Sequence, residues 1–72
     1  MKYLVVIEKA ESNYSAYLPD LPGCVATGET PEETMTNISS AIKMHLQGLK
    51  EDGLPVPVPM ARAEYLVMQE AS

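Results

Sequence analysis

Along the chain, apolar residues come in short clusters parted by turn formers, and the spacing inside the clusters changes once, in the middle. Residues 2–8, Lys-Tyr-Leu-Val-Val-Ile-Glu, are β-branched and apolar on both alternating faces, the pattern of a central strand covered on two sides. Glu11, Ser12 and Asn13 supply turn residues, and Asn13 suits the left-handed conformation of a tight hairpin. A second strand is predicted over 14–18, with Tyr14, Ala16 and Leu18 on one face and Ser15 and Tyr17 on the other. Pro19-Asp20-Leu21-Pro22-Gly23 then breaks the ladder, because proline donates no backbone hydrogen bond and Gly23 permits positive φ. A short third strand is expected over 24–27.

The spacing now lengthens to three or four. Met35, Ile38, Ile42, Leu46 and Leu49 form one continuous stripe, which predicts a helix over 31–52. Thr30 reads as its N-cap, Pro31 as the favoured first helical residue and Glu33 as the reciprocal partner of a capping box. Glu32 and Glu33 complement the positive end of the helix dipole. Gly53 is placed to stop the helix in the left-handed conformation, with Leu54 following as in a Schellman ending. Alternate prolines over 54–59 then enforce an extended connector.

A fourth strand is predicted over 64–69, with Tyr65 and Val67 on one face and Leu66 and Met68 on the other. The fold expected is α+β, a two-layer βββαβ domain filling residues 1–72. Its mixed four-stranded sheet has the order 3-2-1-4, since a right-handed crossover returns strand four parallel to strand one. One long helix covers one face of that sheet. The other face still needs cover, and a second copy of the chain is the simplest source.

Composition sharpens this. At 72 residues the core is small, and domains of this size lean on disulfides, metals or oligomerisation. Cys24 is the sole cysteine, so no internal disulfide forms, and Cys24 with His45 cannot supply the four ligands of a structural zinc. Oligomerisation is what remains, and no cofactor is expected. Ten acidic residues against five basic ones give a net charge of −5, which disfavours direct nucleic-acid binding and favours a basic protein partner. No apolar run is long enough for a signal peptide or a membrane span, and a lone cysteine suits a reducing compartment, so a cytoplasmic location is expected.

Candidate chemistry is sparse. Two-metal hydrolysis needs converging carboxylates, and Glu8, Asp20, Glu64 and Glu70 are the candidates. Glu8 and Glu64 fall near opposite ends of neighbouring parallel strands, so solvated surface acids are the better reading. His45 flanks the helical stripe without a catalytic partner in prospect, and Cys24 reads as a small buried apolar side chain. Partner contact is the role left for Tyr17, for Asp20, Leu21 and Pro22 in the loop, and for Met44. Met44 lies nearly opposite the buried stripe, among Asn37, Ser40 and Gln47, where an adaptable side chain suits a contact surface.

Taken in order, Tyr3 to Ile7, then Tyr14-Ser15-Ala16-Tyr17-Leu18-Pro19-Asp20-Leu21-Pro22-Gly23-Cys24, then Gly28-Glu29-Thr30-Pro31-Glu32-Glu33, resemble the HicB family of type II antitoxins. The Gly53 stop and the proline-rich exit add to the resemblance, which covers nearly the whole chain. It implies a partial RNase H-like fold that assembles as dimers or tetramers. It also implies binding of a HicA-type toxin, a small ribonuclease with a double-stranded-RNA-binding-like fold, and blockade of its active site. Many members carry a C-terminal DNA-binding domain. Nothing follows the predicted fourth strand, so a short form without operator binding is expected here. The function expected is a non-enzymatic antitoxin or regulatory protein; the alternative is a stand-alone self-associating protein, and a degenerate RNase H-like nuclease is disfavoured by the scattered acids.

Overall fold

In the computed structural model, which describes residues 1–70, the chain forms strands β1 (Val6–Lys9), β2 (Tyr14–Tyr17) and β3 (Val25–Gly28), followed by helix α1 (Pro31–Glu51). The strands make a three-stranded antiparallel sheet in the order β1-β2-β3. The register pairs Ile7 with Ala16 and Ala16 with Ala26, and this row faces the helix. Ala16, Leu18, Leu21, Cys24 and Ile38 are buried as the core.

Each break in the strand pattern has a local cause. Between β1 and β2 the Ala10 N–H donates to the Asn13 carbonyl at 2.8 Å, closing a hairpin loop in which no residue has positive φ. The left-handed Asn13 expected from the sequence is therefore absent. After β2, the Leu21 N–H donates to Leu18 O and the Cys24 N–H donates to Leu21 O, each at 3.2 Å. These are two successive turns. Pro19 and Asp20 occupy the centre of the first, Pro22 and Gly23 the centre of the second, and Gly23 supplies the φ of 85° that a Pro-Gly turn requires. The result points Leu18, Leu21 and Cys24, spaced three apart, into the core. Cys24 thus belongs to the turn, and β3 starts one residue later than predicted.

The helix keeps its predicted start. The Glu33 N–H donates to Thr30 Oγ1 at 3.0 Å, and Glu33 Oε1 accepts from the Glu29 N–H at 3.2 Å, one residue before the cap. At the other end the Leu54 N–H donates to Leu49 O and the Gly53 N–H to Lys50 O, with Gly53 at φ 67°. That pair of bonds is a Schellman motif. The buried face differs from the predicted stripe at one point: Met35 is 45% exposed, and Thr34 is fully buried in its stead. The Thr34 hydroxyl donates to Thr30 O at 2.7 Å, so its one polar atom is satisfied inside the core.

The predicted fourth strand and the order 3-2-1-4 are not present among the described residues. Residues 64–70 join no ladder, and Tyr65, Leu66, Val67 and Met68 are 73–104% exposed. The physical reason lies in the layering. Helix α1 packs chiefly on β3 and β2. A strand beyond β1 would lie past the part of the sheet that the helix chiefly covers, although its own residues are apolar on both faces. Strand β1 is also shorter than predicted. Carrying its register one step past Leu18 sets Leu4 opposite Pro19, which has no N–H to offer.

Candidate functional site

The sheet has one face without a helix. The register lines up Val6, Tyr17 and Val25 side by side across all three strands on that face, and behind them Glu8, Ser15 and Thr27. Its apolar row therefore lies beside the double turn, and its polar row beside the β1–β2 hairpin. Tyr17 is 40% and Val25 67% exposed. Beside Val25, along the free edge of β3, runs a shallow groove of about 320 Å³ lined by Gly23, Cys24, Val25, Ala41, Met44 and His45. Met44, 76% exposed, forms its outer wall. Val25 thus joins the bare sheet face to the helix flank in one apolar surface.

The five residues singled out from the sequence divide here. Tyr17, Pro22 and Met44 are on the surface, at the sheet face, the second turn and the groove. Leu21 is 1% exposed and points into the core. Asp20 Oδ2 accepts from the backbone N–H groups of Met60 and Ala61 at 3.1 and 3.0 Å, which fastens the connector to the first turn. Both residues shape the loop from behind. Met44 does not stand alone on a polar face as the helical wheel suggested, because Ala41 and His45 share the groove with it. Val25 was missed by sequence reasoning. Its signal was available in the strand alternation, since Ala26 faces the core and its neighbour must face away.

The acidic candidates are not brought together. Glu8 is exposed on β1, Asp20 is engaged with the connector, Glu64 pairs with Arg62 at 2.6 Å, and Glu70 is exposed in the 64–70 segment. Among the described residues, no three of His, Cys, Asp and Glu cluster closely enough to hold a metal ion. Burial pushes the Cys24 thiol up from its ordinary pKa, so at neutral pH it is held in the protonated, weakly nucleophilic form. Among the described residues no helix is long and apolar enough to cross a membrane. What this surface offers is an apolar row on a rigid sheet, carried by an acidic chain, which is suited to docking a protein.

Comparison with known proteins places this architecture. Residues 3–71 match the family described as HicB_like antitoxin of bacterial toxin-antitoxin system. An uncharacterized 14.9 kDa protein from the rep-hol intergenic region of Haemophilus phage HP1 is 36% identical, over 97% of this chain and 53% of its own length. A UPF0150 protein of Thermoplasma acidophilum is 40% identical over 79% of this chain and 84% of its own. Antitoxin HicB 2 of Photorhabdus laumondii is 29% identical over the whole of this chain and 52% of its own. The chain thus spans about half the length of the phage protein and of that antitoxin. Among solved structures, a chain of the HicA3 and HicB3 toxin-antitoxin complex superposes with a TM-score of 0.70 at 30% identity, over 83% of this chain and 70% of that one.

Proposed function

The chain belongs to the HicB-like antitoxin family, and on that premise we propose that it binds a small HicA-type ribonuclease toxin and neutralises it by occlusion. The observation that carries this reading is the bare sheet face, where Val6, Tyr17 and Val25 form an apolar row continuous with the Met44 groove. Tyr17, Val25 and Met44 supply the apolar contacts, with Pro22 at the rim. Asp20 and Leu21 hold the loop that presents them. The net charge of −5 attracts a basic ribonuclease, so added salt slows association more than it speeds dissociation. Affinity itself resides in the apolar centre of the contact.

The protein acts without hydrolytic chemistry of its own, a reading supported by its kinship with antitoxins and by the dispersal of Glu8, Asp20, Glu64 and Glu70. Its site of action is the cytoplasm, where a ribonuclease toxin meets RNA. We also infer self-association as a dimer or tetramer, because the edges and one face of the sheet lack cover. The direct test is co-expression with a small HicA-type toxin candidate, sought in the reading frames neighbouring this gene. The expected outcome is that the neighbour alone arrests growth and that this chain restores it, with the two proteins co-purifying. Growth arrest that persists, with no co-purification, contradicts the reading and favours a stand-alone self-associating protein.

A further inference from the structure

The segment 64–70 is the least expected part of the molecule. A compact chain of this length has a radius of gyration near 11 Å, whereas this one measures 14.8 Å with a long axis of 55 Å. A helix of 21 residues accounts for roughly 32 Å of that axis. The connector is fastened by Asp20 at Met60 and Ala61, and by the Tyr3 hydroxyl donating to Pro57 O. Beyond Ala61 the chain leaves the body, and nine extended residues reach about 30 Å. Tyr65, Leu66, Val67 and Met68, consecutive and strand-forming, are bared on both faces.

The sheet has two free edges, and they are not equivalent. At β3 the Asn37 side-chain amide donates to the Thr27 carbonyl at 2.8 Å, so the helix already occupies part of that edge. Among the described residues no strand pairs with the outer edge of β1, and Tyr3, Leu4 and Val5 ahead of it are apolar, half-buried and outside any ladder. A bare apolar strand and an unpaired apolar edge on the same chain are complementary. Closure within one copy would place the added strand past the part of the sheet that the helix chiefly covers. Closure between copies brings a second body against it.

We propose that 64–70 is an exchanged strand: in a twofold dimer, each copy's segment pairs with the open edge of β1 in the other, about a hinge at Arg62 and Ala63. This builds between two chains the four-stranded sheet that the sequence pattern predicts within one. Tyr65 alone can bury about 150 Å² or more in each copy, and Leu66, Val67, Met68 and the receiving edge add to the contact on both sides of the twofold. The inference does not depend on the toxin, and its test uses this chain alone.

Sedimentation at micromolar concentration gives the mass of a dimer. In a sample mixing ¹³C-labelled and unlabelled chains, isotope-filtered NOEs connect the Leu66 and Val67 methyls of one copy to β1 of the other. Val67→Pro removes a ladder donor and weakens self-association at least tenfold, while the far-ultraviolet helix signal is retained. A monomer, a dimer whose 64–70 amides exchange freely, or NOEs confined to one copy overturns the proposal.

Discussion

Gly28 shows how little room the helix start leaves. A Cβ built there would lie 2.6 Å from Thr34 Oγ1 and 2.7 Å from the Thr34 backbone nitrogen. A hydroxyl can turn aside, but a helix backbone nitrogen cannot. Gly28→Ala is expected to destabilise by about 1–3 kcal/mol, as overpacking does in a rigid core, read from the denaturation midpoint. Asp20 acts at the same scale on the connector. Its one oxygen holds two N–H groups 40 and 41 residues away, and hydrogen bonds to a charged group contribute about 1.5–3 kcal/mol net when well sheltered. Asp20 is half-exposed, so Asp20→Ala is expected to cost nearer 1 kcal/mol. The sharper readout is loss of hydrogen-exchange protection at Met60 and Ala61, with α1 amides unchanged.

At the scale of elements, the ends of α1 follow from a handful of residues. Thr30→Ala removes the acceptor of the Glu33 N–H and is expected to lower stability by about 1 kcal/mol, with the loss seen in chemical denaturation and Thr30→Ser restoring most of it. The caps were legible because their bonds are local: Thr30, Pro31, Glu33 and Gly53 act within five residues of themselves. The double turn was legible as a break, from its prolines and glycine, but not as a device that buries Leu18, Leu21 and Cys24. That role appears only when the helix supplies Ile38 to meet them. Thr34 replacing Met35 has a similar origin, since the Thr30 carbonyl that satisfies its hydroxyl makes a polar residue admissible in the core. The segment 64–69 was predicted to be a fourth strand and joins no ladder, because propensity is local and a partner edge is not.

For the whole molecule, charge and sheet topology decide what the surface can do. The acids lie on β1, on turns, at both ends of the helix and in the 64–70 segment, leaving the Val6, Tyr17, Val25 row and the Met44 groove as an apolar surface on an acidic chain. Tyr17 and Met44 were legible from alternation and helical spacing. Their connection through Val25 was not, because it needs the order of strands and the place of the helix over them. Asp20 and Leu21 were legible as a loop, but Leu21 is turned inward by the double turn and Asp20 is engaged by N–H groups 40 and 41 positions away. The most direct measurement is a titration of a HicA-type ribonuclease, taken from the genome that encodes this chain, with this chain, following cleavage of a defined RNA. Cleavage is expected to fall linearly to zero at a fixed stoichiometric ratio. With Val25→Asp, which leaves the buried core untouched, inhibition is expected to need at least tenfold more protein. Undiminished cleavage at excess chain, or full inhibition by Val25→Asp at the same ratio, would contradict neutralisation through the bare sheet face.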